Sequence, residues 1–188
     1  MQPRAVRLDV DLEEVVDVFE GLPTDEMKAF LDLGTGRVVI ISIEFRDMAE
    51  QIRAELEDLS PGDDTAYEVR FAAQLAQRDL PEWMHEVLVE ADLVEREFGA
   101  RFIAIPGSDS HEAYDDMSVF IDTVASPRLR GRLADAIIGR GAFRRFKGVL
   151  AGEPSERERW FTMKRARARQ RALDWLADEG IELEQHQQ

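Results

Sequence analysis

The sequence predicts an α+β fold: one α-rich globular domain at residues 1–184, followed by a disordered tail at 185–188. Its small antiparallel sheet, an N-terminal hairpin plus one or two short strands, packs against about six or seven helices. Two β-prone runs, 27–33 and 37–43, flank a Gly-Thr-Gly turn, which favours a hairpin because tight turns need positive φ. Most other segments carry apolar residues at helical spacings of three and four. With 188 residues, 44% of them hydrophobic, the chain can form a substantial core.

The chain before residue 65 alternates helix, hairpin and helix. Asp9 or Asp11 can cap a helix that runs to about Glu20, because an apolar stripe follows them at spacings of three and four. After the hairpin, residues 45–59 again place apolar side chains on one face and acids on the other. The Ser-Pro-Gly-Asp-Asp segment at 60–64 breaks that helix.

The middle of the chain is predicted to contain two helices and a strand. Residues 65–78 indicate a short helix, although the alternation at 67–71 also fits a strand. Leu80-Pro81 opens a longer helix that ends near Phe98-Gly99. The later elements are a strand at 101–105, helices at 110–123, 127–138, 142–150 and 155–179, and a short edge strand at 181–183.

Hydroxyl side chains predict where two of these later helices begin. Ser108 or Ser110 can cap the helix that ends at residue 123. Ser126 followed by Pro127 predicts the next helix start, because proline fits the first helical position, where its missing N–H costs nothing. Gly180 is the predicted stop of the last helix.

Glycine, aromatic and cationic residues are most concentrated at Gly139-Arg-Gly-Ala-Phe-Arg-Arg-Phe-Lys147, which we call the basic corner. Its two glycines are predicted to end one helix and open the next, because glycine accepts positive φ without steric cost. Phe143 and Phe146 are three residues apart, so both rings are predicted to face inward. The cations are predicted to stay in solvent.

The basic corner is the candidate anion-binding or partner-binding site. The first turn of its second helix has unpaired N–H groups and a partial positive charge, and the cations nearby add to the attraction for a phosphate or carboxylate. The competing interpretation is structural: two core phenylalanines beside a solvated or ion-paired basic face. The candidate residues are Arg140, Gly141, Arg144, Arg145 and Lys147.

The basic corner also resembles the signature of a widespread bacterial family known only as an uncharacterised protein family, whose members carry G-x-G-A-F-R-R-F-K. The resemblance spans most of residues 12–180, and it implies no activity. Three further segments are similar to that family: residues 30–38 to an F-L-D-x-x-T-G-x-V hairpin, 102–106 to an apolar strand ending in proline, and Trp160 with 172–176 to a tryptophan-bearing last helix.

Charge is distributed unevenly along the chain. Residues 128–171 hold fourteen arginines and lysines and four acids, a net charge of +10, so the rest totals −25 within an overall charge of −15. Two explanations remain open: the acidic part folds against the basic part, or a basic surface meets an anionic partner. The second would direct a nucleic acid or an acidic protein surface to the basic corner.

Few other residues suggest chemistry. With no cysteine the chain has neither disulfides nor thiolates, which fits a cytoplasmic protein. His111 with Glu112, Asp115 and Asp116 has the atoms of a metal site or a general base, but acids this abundant produce such clusters by chance. His85 and His186 lack ligand spacing, and Ser108-Asp-Ser110 lacks a nucleophile elbow.

The favoured hypothesis is therefore a non-enzymatic interaction or regulatory protein that binds an anionic partner through the basic corner. No catalytic residue, metal ligand or cofactor is predicted, and no apolar run is long enough for a membrane span. The alternative is an enzyme for a phosphorylated or anionic substrate, with Arg140, Arg144 and Arg145 as anion clamps and the acids near His111 as base or metal ligands. The sequence does not indicate the oligomeric state.

Overall fold

The structure is a computed structural model, and it describes residues 6–21, 26–56, 64–107 and 109–184. These ranges contain five strands and eight helices, so the helix-rich α+β fold is confirmed, with eight helices against the predicted six or seven. The strands are β1 Val6–Leu8, β2 Met27–Asp32, β3 Val38–Ser42, β4 Phe102–Ile105 and β5 Ile181–Leu183. The helices are α1 Leu12–Phe19, α2 Ile43–Ala54, α3 Asp64–Ala76, α4 Glu82–Arg96, α5 Ser110–Thr123, α6 Pro127–Ala136, α7 Ala142–Leu150 and α8 Pro154–Asp178.

Contacts divide the chain into two compact units. One contains the sheet of β2, β3 and β4 with helices α2 to α4, and the other contains α1 with α5 to α8. The single globular domain expected at residues 1–184 stays a prediction. The tail expected at 185–188 lies outside the described residues.

The predicted hairpin is confirmed as the centre of the first unit. Strand β2 pairs antiparallel with β3 on one side and with β4 on the other, so that Phe30 lies opposite both Val39 and Ala104. One sheet face forms a core with α2, α3 and α4. The strand alternative at 67–71 is wrong, because this segment belongs to α3, which buries Phe71 and Leu75 one helical turn apart.

The turn of the hairpin is held by the carboxylate of Asp32. This carboxylate accepts hydrogen bonds from the Gly34 amide at 2.8 Å and the Thr35 hydroxyl at 2.9 Å. Arg101 donates to both carboxylate oxygens, at 2.9 and 2.8 Å. These hydrogen bonds, that of Arg101 first, lower the pKa of Asp32 to about 2 although its burial opposes the shift. The turn is therefore tied to the start of β4.

Gly36 ends this turn in a place where no other residue fits. Its φ is +76°, and a Cβ built there would lie 2.1 Å from the carbonyl oxygen of Asp9. The backbone before α1 therefore passes directly over the hairpin turn.

A buried carboxylate joins the three helices of the same unit. Asp92 of α4 is 2% exposed and accepts hydrogen bonds from Arg53 of α2 and from the Tyr67 hydroxyl of α3, both at 2.9 Å. Arg96 donates to its second oxygen at 3.1 Å and stacks over the Tyr67 ring. Burial, together with the hydrogen bond to Asp92, raises the pKa of Tyr67 to about 12, so the hydroxyl stays a donor at neutral pH.

Aromatic rings hold the centre of the second unit. Phe120 of α5, Phe146 of α7 and Trp160 of α8 contact one another with centroid distances between 4.9 and 6.1 Å. Phe19 of α1 lies 6.2 Å from Trp175 of α8. The helices that carry the basic corner, α6 and α7, are therefore fixed to α5 and α8 by their buried faces.

The predicted N-cap residue is confirmed for α6 and wrong for α5. Ser126 caps α6 as predicted, accepting from the Leu129 amide at 3.3 Å, and Pro127 is the first helical residue. Helix α5 is capped by Asp109, which accepts from the His111 amide, so the prediction of Ser110 is wrong and Ser108 lies outside the described residues.

The predicted edge strand β5 pairs with β1, a strand that the sequence did not reveal. None of the helices in the described part of the chain combines the length and the apolarity that crossing a membrane requires.

Candidate anion-binding surface

The basic corner is a sharp turn between α6 and α7. Gly139 and Gly141 have φ values of 77° and 78°, in the left-handed region that glycine adopts without strain. The predicted role of both glycines is confirmed: one lies just after α6, and the other is the N-cap residue of α7. Arg140, between them, is exposed to solvent.

The prediction that both phenylalanines face inward is wrong for one of them. Phe146 is 1% exposed, whereas Phe143 is 40% exposed. The buried face of α7 follows a spacing of four through Ala142, Phe146 and Leu150, and Phe143 lies at the edge of this face, about 60° around the helix from Phe146. The ring is therefore available at the surface beside the cations.

Ile138 is a second apolar side chain that lies at the surface beside the cations. It is 70% exposed, the most exposed of the large hydrophobic side chains that the structure describes. Its neighbour Ile137 is the C-cap residue of α6 and is buried. Because the helix has ended before residue 138, the apolar stripe that runs through Leu129 and Leu133 no longer determines the direction of Ile138.

Arg145 turns back toward the corner and binds main-chain carbonyl groups. Its Nε donates to the carbonyl of Ala136 at 3.0 Å, and its two Nη atoms donate to those of Ile138, at 2.5 Å, and Arg140. A cation at the C-terminal end of a helix satisfies carbonyls that have no partner within the helix and interacts favourably with the dipole. We therefore assign Arg145 to holding the turn rather than to binding a partner.

This role predicts a stability effect for Arg145 that its neighbour does not share. Arg145→Gln is expected to lower the free energy of unfolding by about 1–2 kcal/mol, because charged donors to the carbonyls at the end of α6 and in the turn are lost. Arg144→Gln removes the same charge one residue away and is expected to change stability by less than about 0.5 kcal/mol. Urea unfolding of both variants measures the difference, and equal losses would contradict the assignment.

On one side of α8, the basic run is neutralised by acids of α1. Arg165 contacts three carboxylates, those of Glu13 at 2.5 Å, Asp17 at 2.9 Å and Glu20 at 2.7 Å. Arg169 pairs with Glu13 as well. The hydrogen bond from Arg165 lowers the pKa of Glu13, and the same contacts raise the pKa of Arg165. This side of α8 has little charge left for a partner.

A buried aspartate neutralises the other side of α8. Asp116 of α5 is 2% exposed, and one of its oxygens accepts hydrogen bonds from both Arg167 and Arg171. Glu112 lies 3.5 Å from Arg171. Two of the three acids that seemed available to His111 are thus ion-paired to α8. These two carboxylates are engaged in structural ion pairs, which leaves the suggested general-base or metal site at His111 without them.

Only part of the basic stretch between residues 128 and 171 is neutralised in this way. Six of its cations lie within ion-pair distance of a carboxylate, and three donate to main-chain carbonyls instead. Five make no ion pair or side-chain hydrogen bond with any residue that the structure describes: Arg128, Arg140, Arg144, Lys147 and Arg157. Three of these five belong to the basic corner, and all three are exposed. The corner is where unpaired positive charge concentrates.

Metal-ligand clusters and grooves are the other places in the described residues, besides the basic corner, where a site could lie. Between residues 6 and 184, excluding 22–25, 57–63 and 108, no cluster of three or more histidines and acids could hold a metal ion. Grooves of about 460 and 680 Å³ flank α8, and neither is lined by a corner residue. His186 lies outside the described residues.

Sequence reasoning missed two features of this surface: the exposure of Ile138 and Phe143, and the role of Arg145. The spacing of three between Phe143 and Phe146 corresponds to about 60° around the helix, so it does not by itself place both rings on the buried face of α7. The glycine after Ile138 marks the end of α6, and with it the end of that helix's apolar stripe. No local pattern indicates that Arg145, unlike Arg144, turns back to α6.

Comparison with known proteins gives a family and no activity. Searches of curated proteins and of solved structures returned no match. A family model described as an uncharacterised protein family matches residues 77–188, which include the basic corner and more than half of the chain. The chain therefore belongs to the uncharacterised protein family UPF0158.

Proposed function

We propose that this protein is a non-enzymatic interaction or regulatory protein that binds an anionic partner, a nucleic acid or an acidic protein surface, through the basic corner. One observation supports the proposal above the others. Four cations of α8 meet carboxylates of α1 and α5, namely Arg165, Arg167, Arg169 and Arg171, whereas Arg140, Arg144 and Lys147 meet none among the described residues.

The corner also presents its charges on a constrained backbone. Two left-handed glycines set the direction of the turn, and the guanidinium of Arg145 binds carbonyls on both sides of Gly139. A site whose backbone is already ordered loses less conformational entropy when a ligand binds. Three unpaired cations within eight residues can then act together on one anionic group or on a row of them.

The enzyme alternative lacks a comparable observation. It requires the acids near His111 as base or metal ligands, and Asp116 and Glu112 are occupied by arginines of α8. His111 itself is exposed on the first turn of α5. We therefore retain binding as the proposed function and do not assign a reaction.

The proposal predicts that charge removal at the corner weakens binding to polyanions. In Arg140→Gln/Arg144→Gln/Lys147→Gln, which we call the corner variant, binding to heparin and to a single-stranded oligonucleotide is expected to fall by more than about tenfold at low salt. For the oligonucleotide, the slope of log K against log salt is expected to decrease by about 2, since each phosphate contact contributes ~0.7. Fluorescence anisotropy across a salt series measures both quantities.

A matched control removes the same charge elsewhere. Lys28, Arg70 and Arg157 are exposed and make no contact with a described carboxylate, so replacing all three by glutamine changes the net charge equally. This control variant is expected to bind within about twofold of the wild type, because its charges lie outside the corner. Equal losses in the two variants would mean that only net charge matters, and full binding by the corner variant would remove the site.

A further inference from the structure

The basic corner carries exposed apolar side chains as well as cations. Ile138 is 70% exposed and Phe143 is 40% exposed. Ile138 lies in the turn, two residues before Arg140, and Phe143 lies four residues before Lys147, which places Phe143 and Lys147 on neighbouring positions of one side of α7. We call Ile138, Arg140, Phe143, Arg144 and Lys147 the mixed surface.

The two apolar side chains of the mixed surface, Ile138 and Phe143, favour one class of negatively charged partner over another. Phosphates of a nucleic acid need only the cations, and a base can stack on a ring such as Phe143. The aliphatic side chain of Ile138 offers no ring on which a base of a single strand can stack. A protein segment that combines carboxylates with apolar side chains covers both kinds of residue, as partner segments do when they dock through a few apolar anchors within a polar rim.

Electrostatics over longer distances favours the same partner. The chain carries −15 overall, and a nucleic acid gains most of its affinity from neutralising many phosphates. A long polyanion therefore meets repulsion beyond the corner, whereas a short acidic segment interacts with charges inside roughly one Debye length, about 8 Å at physiological salt. Between residues 126 and 152 the sequence has seven cations and a single acid, so the local field is positive.

We infer that the partner of the mixed surface is an acidic protein segment with apolar anchors, whose carboxylates meet Arg140, Arg144 and Lys147 and whose apolar side chains cover Ile138 and Phe143. The inference rests on the proposed function of the corner and names the partner class within it. The contact is local: the cations supply attraction and orientation, and the two apolar side chains supply burial that a purely polar polyanion does not use.

Three probes of equal formal charge test the inference by anisotropy at physiological salt. The first is a labelled peptide that alternates glutamate pairs with leucine and phenylalanine, the second has serine at every apolar position, and the third is a single-stranded oligonucleotide. The first peptide is expected to bind about tenfold more tightly than the second, because apolar burial adds to the charge contacts. It is also expected to bind more tightly than the oligonucleotide.

Two double variants separate the apolar contribution from the rest. Ile138→Ser/Phe143→Ser is expected to abolish the tenfold preference while leaving the serine peptide and the oligonucleotide unchanged. Val69→Ser/Phe161→Ser removes side chains that are 65% and 53% exposed elsewhere, and it is expected to keep the preference. Circular dichroism and thermal unfolding check that both variants are folded.

The outcomes distinguish this inference from the function on which it rests. If the oligonucleotide binds at least as tightly as the apolar peptide, or if Ile138→Ser/Phe143→Ser leaves the preference intact, the acidic-segment inference is overturned and anion binding at the corner remains. If the corner variant binds every probe as the wild type does, the proposed function fails with it. Loss of the preference in Ile138→Ser/Phe143→Ser alone supports the inference.

Discussion

Gly36→Ala is expected to lower the free energy of unfolding by about 3–5 kcal/mol. Two causes add together. The backbone of Gly36 has φ of +76°, which strains any residue with a Cβ, and the new Cβ would lie 2.1 Å from the carbonyl oxygen of Asp9 and 2.8 Å from its carbon. Because both obstructing atoms are backbone, the segment that crosses the hairpin must move. Urea unfolding and the thermal midpoint measure the loss.

Gly99→Ala separates the two causes. Gly99 has nearly the same φ, +78°, but a Cβ there has no neighbour within 4 Å. Its substitution is expected to cost only the conformational part, about 1 kcal/mol. Equal losses at Gly36 and Gly99 would show that the close approach of Asp9 to the hairpin does not contribute to stability.

Asp32→Ala is expected to lower the free energy of unfolding by about 3 kcal/mol, since it leaves Arg101 and the turn amide of Gly34 without their acceptor. The carboxylate is 4% exposed and receives four hydrogen bonds from the turn and from Arg101. Asp47→Ala, on the exposed face of α2, is the matched control and is expected to change stability by less than about 0.5 kcal/mol. Similar effects of the two substitutions would contradict the role assigned to Asp32.

The same carboxylate predicts a pH dependence with a definite sign. The pKa of Asp32 falls from 3.8 to about 2 on folding, so the ionised form stabilises the folded state above pH 3.8, and this contribution is lost as the pH falls toward 2. The shift corresponds to about 2 kcal/mol. The stability advantage of the wild type over Asp32→Asn is therefore expected to be constant above about pH 5 and to shrink toward pH 2. An advantage that did not change between these limits would rule out the ionic contribution.

Local signals in the sequence predicted most of the elements. The Gly-Thr-Gly turn located the hairpin, and Ser126 with Pro127 located the start of α6, because each signal depends on the backbone of a few neighbouring residues. Strand β1 was missed because three residues paired with the distant β5 have no local signature. The Asp32–Arg101 ion pair could not be predicted from the local sequence either, because its members are 69 residues apart.

The candidate site was predictable in composition and less so in geometry. Charge counting located the basic stretch but left open whether acids of the same chain neutralise it. The answer depends on which helices pack together: α8 lies against α1 and α5, which supply Glu13 and Asp116, while no described carboxylate forms an ion pair with a cation of α7. Of the five candidate residues, Arg145 binds carbonyls, Gly141 shapes the turn, and Arg140, Arg144 and Lys147 remain without a described partner.

Residue-resolved NMR tests most directly whether the unpaired cations are where a partner binds. The ¹⁵N-labelled protein would be titrated with the acidic apolar peptide, and the arginine Nε–H and backbone amide signals followed. We expect the largest changes at Ile138, Arg140, Phe143, Arg144 and Lys147, with Arg165 and Arg169 unchanged because Glu13 already occupies them. Changes centred on Arg165 and Arg169, or no changes at residues 138–147 at saturating peptide, would contradict the proposal.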